Sequence, residues 1–210
     1  GTGASPLSSI KRAGLPWELG LSEAQQTLVM NGLRGRVRLQ CDGGIRTGRD
    51  AAVACLLGAE EFGFAAGALI SAGCLMLRHC HLNNCSVGVA TQDERCAGRY
   101  RGQAEHVMNF MLFVARQLRG IMASLGFRRL DEMVGHCELL EPDPEALAAS
   151  GAGIDFSRIL HKPQAPWPSR RDPAYSRPDA RQALDLRLIE LAGPALQGGA
   201  PLRLDLPIAN

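Results

Sequence analysis

Apolar positions recur with helical or alternating spacing over roughly the first two thirds of the chain and lose their period after it. Ser22-Glu23-Ala24-Gln25 has the S-x-x-Q form of a capping box, and the amphipathic run through Leu28, Val29 and Leu33 predicts a helix ending near Gly32 to Gly35. Val37-Arg38-Leu39-Gln40-Cys41 alternates and predicts a short strand. Ala51 to Leu57 reads as a helix closed by Gly58, and Glu60 to Ala65 as a return strand, which makes a βαβ-like unit with its loops on one face. Val107, Met111, Val114, Leu118, Ile121 and Leu125 recur at helical spacing up to a stop at Gly126. The Met and Phe residues of that helix (Met108, Phe110, Met111, Phe113) are expected in the core rather than in a cofactor wall. A shorter helix, roughly Leu130 to Val134, ends at Gly135; Ala183 to Leu196 forms another, and Leu202 to Leu206 alternates as a strand.

The intervening stretches carry their own signals. Gly1, Gly3, Pro6, Gly14, Pro16 and Gly20 mark residues 1–20 as a loop emerging from an earlier strand. Pro163, Pro166, Pro168, Pro173 and Pro178, interspersed with Arg, mark residues 141–182 as a linker over a surface, with His161 and Trp167 as packing residues. A lone terminal strand is no domain, so the chain reads as an interior piece of a longer protein.

With 210 residues the chain is long enough to bury a core. Its 23 Lys plus Arg against 21 Asp plus Glu make no basic field suited to nucleic acid or a membrane surface. No charged-then-apolar leader and no run of about 18 uncharged apolar residues is seen, so no spanning segment is expected. Seven cysteines, an odd number in apolar context, do not resemble a secreted disulfide scaffold and suggest the reducing cytoplasm.

Two stretches carry chemistry. Asp42-Gly43-Gly44-Ile45-Arg46-Thr47-Gly48-Arg49-Asp50 joins the first strand to its helix. Thr47 and Asp50 have cap spacing, and Gly43 and Gly44 would let backbone N–H groups approach a phosphate near the helix start. In α/β barrels the loops after the last two strands commonly hold such a phosphate, and Gly63 and Phe64 would stand on the second loop. Taken alone, the glycines are equally compatible with an ordinary tight turn. Cys74, Cys80 and Cys85 are spaced C-x5-C-x4-C in a polar context with Arg78, His79, His81 and two Asn, which favours chemistry over packing. Soft thiolates select zinc, copper(I) or iron–sulfur clusters. Zinc usually takes closer pairs such as C-x2-C, three cysteines fit a four-iron cluster lacking one iron, and buried structural thiols stay open. Cys41, Cys55, Cys96 and Cys137 each stand alone and read as core or surface thiols.

These residues resemble the large subunits of glutamate synthase, in the late part of the flavin-binding barrel. The resemblance lies in Gly1 to Pro6, Ala13 to Gly20, Asp42-Gly43 with Thr47 to Asp50, Leu57 to Phe64, Gly73-Cys74, Cys80-His81-Leu82, Gly88 to Gln92 and Ala183 to Asp185. Ser86 stands where the family usually has Pro, Gly44 replaces a common Gln, and Cys96 lies in a variable loop. The resemblance implies an α/β fold: the C-terminal portion of a (β/α)8 TIM barrel over residues 1–140, the linker, and the start of a β-helix domain at 183–210. It implies FMN held through Asp42, Gly43, Gly44, Arg46, Gly63 and Phe64, and a [3Fe-4S] cluster held by Cys74, Cys80 and Cys85. The implied enzyme forms L-glutamate from 2-oxoglutarate and glutamine-derived ammonia, with electrons from an NADPH-oxidising small subunit or ferredoxin. No catalytic residue falls in this stretch, and the chain alone is expected to be inactive. An FMN-dependent 2-hydroxy-acid-oxidase-like barrel would share only the phosphate loop, and a zinc-stabilised module only the cysteines.

Overall fold

The computed structural model describes residues 6–205 apart from 13, 151–152, 178 and 180–182. Contacts divide the chain into two units, Gly1–Pro173 and Ala174–Asn210. In the first unit, the stretch expected as loop holds α1 (Leu7–Arg12), and α2 (Trp17–Met30) starts well before the expected capping box. Pro16 occupies its N-cap, where a missing N–H leaves nothing unpaired. Ser22 and Gln25 are therefore buried mid-helix groups and not caps. Ser22 Oγ donates to the Ile159 carbonyl at 2.6 Å and Gln25 Nε2 to that of Ser169 at 2.7 Å. The end of α2 is as expected: Gly32 has φ +66°, and Leu33 N–H donates to Leu28 O at 2.9 Å, closing a Schellman turn.

β1 (Gln40–Asp42), α3 (Gly48–Leu56) and β2 (Glu61–Gly63) form the expected βαβ unit, with the two strands parallel and Gln40, Cys41 and Asp42 opposite Glu61, Phe62 and Gly63. The first strand is shorter than its alternation suggests because Val37 N–H closes a 3-10 turn over Arg34–Arg36. α3 carries the predicted capping box: Thr47 Oγ1 accepts from Asp50 N–H at 3.1 Å, and Asp50 Oδ2 from Thr47 N–H at 2.9 Å. One buried cluster includes Leu21, Cys41, Ile45, Ala51, Ala54 and Leu57; a second holds Ala52, Cys55, Leu56, Met133 and Val134. α3 contributes to both.

α4 (Ala66–Ser71) and α5 (Glu94–Ala97) flank the cysteine stretch, and α6 (Ala104–Ser124) returns to pack along α3 and α4. Gly126, at φ +85°, stops it as predicted. The core assignment of its stripe holds only in part. Val114 is buried and Phe110 half-buried, whereas Met108, Met111 and Phe113 are 61%, 41% and 63% exposed. At about 100° per residue, Met108 and Met111 point away from the Phe110–Val114–Ile121 face. α7 (Leu130–Met133) and α8 (Pro144–Ser150) complete the unit's helices among the described residues.

Residues 153–173 are irregular yet firmly attached. Ile159 and Leu160 pack on the first cluster, Arg171 N–H donates to Glu60 Oε1 at 3.0 Å, and Asp172 N–H donates to Gly35 O at 3.0 Å. Trp167 lies over Gly32, where a Cβ would come within 3.2 Å of the indole, while His161 is exposed.

In the second unit, α9 (Leu184–Leu196) matches the predicted helix. The expected strand at 202–206 is irregular over 202–205, and Leu206 lies outside the described residues. A strand requires a ladder partner; the sheet among the described residues has only β1 and β2. The fold is thus mostly helical α/β with a small parallel sheet. Among the described residues no helix is long and apolar enough to cross a membrane.

Candidate functional site

Parallel pairing brings the C-terminal ends of β1 and β2 together, with Asp42 opposite Gly63, so the loops that follow leave from one edge. Ligands of α/β folds gather at that edge. Gly43 and Gly44 both have left-handed backbones, φ +102° and +92°, which an L side chain rarely adopts. A Cβ on Gly43 would meet nothing within 4 Å, so this backbone borders open space. Ile45, 1% exposed, anchors the loop from below. On the neighbouring loop, a Cβ on Gly63 would come within 2.5 Å of the Asp42 carboxyl carbon, so glycine there admits the carboxylate. Phe64 meets Phe110 edge to face, centroids 6.1 Å apart. Asp42, Gly43, Gly44, Gly63 and Phe64 are thus gathered at one edge, and exposed Arg46 stands at the α3 end of the first loop.

The start of α3 differs from expectation. Asp50 Oδ2 already accepts from the N–H groups of Arg46 and Thr47 at 3.0 and 2.9 Å, and Gly48 N–H donates to Gln117 Oε1 of α6 at 2.8 Å. Protein acceptors, one of them anionic, therefore occupy donors that an external anion would use. Gln117 escaped the sequence reading because its partner is a backbone N–H far away in the chain.

The cysteine stretch begins where α4 ends, with Gly73 at φ +95° and Cys74 N–H donating to Leu69 O at 2.9 Å. Met76, Arg78 and Asn83 have φ +55°, +58° and +53°, the non-glycine residues with positive φ among those described. Each such position costs on the order of 1 kcal/mol and persists where surrounding structure enforces it. Backbone nests that receive anions and iron–sulfur sulfurs are built from residues of alternating hand. Met76 N–H donates to Cys74 Sγ at 3.3 Å. Asn83 Oδ1 pins the far side, accepting from Gln92 N–H at 2.7 Å and Thr91 Oγ1 at 3.1 Å.

Cys74, Cys80 and Cys85 line one small cavity, together with Met76, Arg78 and Ser86. Burial alone would raise the Cys85 thiol, but N–H groups of Ala90, Val87, Val89 and Gly88 carry it below its ordinary value. Among the described residues no three His, Cys, Asp or Glu side chains are grouped to hold one metal ion. Ligands of a single zinc crowd within about 2.3 Å of it, whereas a polynuclear cluster gives each thiolate its own iron and asks for wider spacing. The three thiols thus line one cavity, and backbone N–H groups are directed at Cys74 and Cys85. Of the other cysteines, Cys41, Cys55 and Cys137 are buried as expected and Cys96 is half-buried; all seven are unpaired thiols.

These features define a mostly helical α/β protein with paired glycine loops at the strand ends and a strained three-cysteine loop one short helix away. A family model described as "Conserved region in glutamate synthase" matches residues 1–128. The glutamate synthase [NADH] of Schizosaccharomyces pombe is 49% identical over all of this chain and 10% of its own length. The glutamate synthase [NADPH] large chain of Bacillus subtilis is 52% identical over 78% of this chain and 11% of its own, and the ferredoxin-dependent glutamate synthase of Spinacia oleracea 51% over 76% and 10%. The chain belongs to the glutamate synthase family and spans about a tenth of the length of the curated relatives it matches.

Proposed function

We propose that this chain is the part of a glutamate synthase that holds the FMN phosphate and the [3Fe-4S] cluster, in an enzyme that forms L-glutamate from 2-oxoglutarate and glutamine-derived ammonia. The carrying observation is the continuity of the two loop systems: α4 alone separates Phe64 from Cys74. β1 and β2 would be the last two strands of a (β/α)8 barrel, their free edges paired with strands elsewhere in the enzyme; residues 141–182 would link it to a β-helix domain beginning at 183–210. Backbone N–H groups of Gly43, Gly44, Gly63 and Phe64 would bind the phosphate, Arg46 would supply a cation, and Asp42 would order the strand end. Cys74, Cys80 and Cys85 would ligate iron, with N–H groups aimed at sulfur stabilising thiolate charge and tuning the potential. FMN supplies hydride chemistry when bound, and the cluster relays single electrons. The chain contributes no reacting side chain; it binds and orients. Electrons would come from a pyridine-nucleotide-oxidising partner or from ferredoxin, and the enzyme would work in the cytoplasm.

The full-length enzyme should show the electron paramagnetic resonance signal of an oxidised three-iron cluster, and Cys80→Ser should remove it while FMN stays bound. An unchanged signal would sink the ligand assignment.

A further inference from the structure

α6 touches the element after each glycine loop. Toward the first loop, Gln117 Oε1 accepts from Gly48 N–H at 2.8 Å. Gly48 lies so close that a Cβ would stand 2.6 Å from the Val114 carbonyl oxygen and nearer still to Leu118 N. Toward the second loop, Phe110 packs edge-on against Phe64 at 6.1 Å and presses on α4, where a Cβ on Gly67 would overlap its ring. Phe110, Val114 and Gln117 recur at i, i+4 and i+7 and so share one face. Val114, buried between them, closes that face. Two loops that leave separate strands are thereby set against one rigid helix.

A phosphate held by backbone N–H groups from two loops needs those loops in fixed register, because hydrogen bonds weaken steeply with distance and angle. The capping box fixes the conformation of the first loop's end, but it is local to residues 46–50 and says nothing about the second loop. Only α6 spans both.

We infer that Gln117 and Phe110 are positioning residues that set the Gly43–Gly44 and Gly63–Phe64 loops in register for the flavin phosphate. This rests on the FMN assignment made above. Gln117 acts through Gly48, keeping α3's first turn against α6; Phe110 acts through Phe64 and α4. Neither touches the phosphate.

The test is flavin titration of the deflavinated full-length enzyme with FMN and with riboflavin, which lacks the phosphate. Gln117→Met keeps length and helix propensity but removes the acceptor. One hydrogen bond of about 1 kcal/mol corresponds to a roughly fivefold rise in FMN Kd, with riboflavin Kd unchanged. Gln117→Glu, which still accepts from Gly48, should recover most of the FMN affinity, and Phe110→Leu should repeat the FMN-specific loss. Equal weakening of FMN and riboflavin, or no change in Gln117→Met, overturns the inference. Gly44→Val separates this from failure of the FMN reading. If it abolishes the preference for FMN while Gln117→Met does not, the loops bind phosphate and only the positioning role falls. If it leaves the preference intact, the loop assignment itself is wrong.

Discussion

Arg34 offers the sharpest test of how the strand pair is held. Its side chain is 0% exposed and makes four bonds: Nε to Gln25 Oε1 at 2.6 Å, Nη1 to Val37 O at 2.7 Å, and Nη2 to Gly58 O at 3.0 Å and Glu60 Oε2 at 2.7 Å. One guanidinium thus joins α2, the approach to β1 and the approach to β2. Arg34→Met keeps much of the volume, deprives three acceptors of their donor and leaves the Glu60 carboxylate without its cation. Removing one partner of a buried ion pair costs about 3–5 kcal/mol. Glu60 is 13% exposed and keeps the Arg171 N–H at 3.0 Å, which places this case near the lower end. About 3 kcal/mol corresponds to roughly hundredfold faster amide exchange in segments that open with the pair. Hydrogen exchange read by mass spectrometry on peptides covering β1 and β2 in the full-length enzyme measures it directly, since a multidomain chain has no single unfolding midpoint. Arg34→Lys keeps the charge but lacks the fork that reaches all four acceptors, so it should recover only part of the loss. Acceleration below about fivefold in Arg34→Met would refute the argument that this network holds the strand ends.

Two further outcomes follow from burial. Gly48→Ala would gain up to about 1 kcal/mol of helix propensity, yet its Cβ would meet α6 backbone atoms that cannot rotate away; faster hydrogen exchange in the α3 and α6 peptides of the full-length enzyme and weaker FMN retention are expected, and unchanged exchange there would contradict the packing. Cys55 is pushed up to about 12 from 9.0, by burial first and then by Glu60 and Asp131, and Cys41 to about 11, by burial and then Glu18 and Asp42. In the folded enzyme both stay protonated through pH 9 to 10, where an ordinary thiol becomes thiolate, so their peptides should escape iodoacetamide over that range and label only after denaturation.

What was legible in the sequence is local. Thr47 and Asp50 form their cap because both partners lie within one turn, and Gly58, Gly126 and Gly135 end their helices because φ beyond +70° excludes most other residues. The strand-loop-helix-strand order was readable for the same reason, and with it the edge where Gly43, Gly44, Gly63 and Phe64 meet. The spacing of Cys74, Cys80 and Cys85 marked the three thiols as a candidate site, but not the shape of the loop that carries them. That shape comes from Met76, Arg78 and Asn83 held left-handed, and neither Met nor Arg signals such a conformation.

The misread capping box and the unnoticed Gln117 share a different cause: partners that are backbone groups distant in sequence. Ser22 and Gln25 satisfy a capping pattern equally well on a buried helix face, and what decides between the readings is the pair of carbonyls at Ile159 and Ser169, which no side-chain pattern encodes. Those carbonyls lie in the proline-rich stretch expected as linker. Proline there leaves carbonyls available while suppressing helix and strand, so a segment can lack periodicity and still be tied down by its backbone. The same holds for Gln117, whose acceptor oxygen meets Gly48 N–H across the α3–α6 contact. The glycines and cysteines proposed to touch flavin and iron stand out in the sequence as turn glycines and clustered thiols, and it is the resemblance that gives them those ligands, whereas the residues that would hold the two loops in place emerge only once the helices are packed.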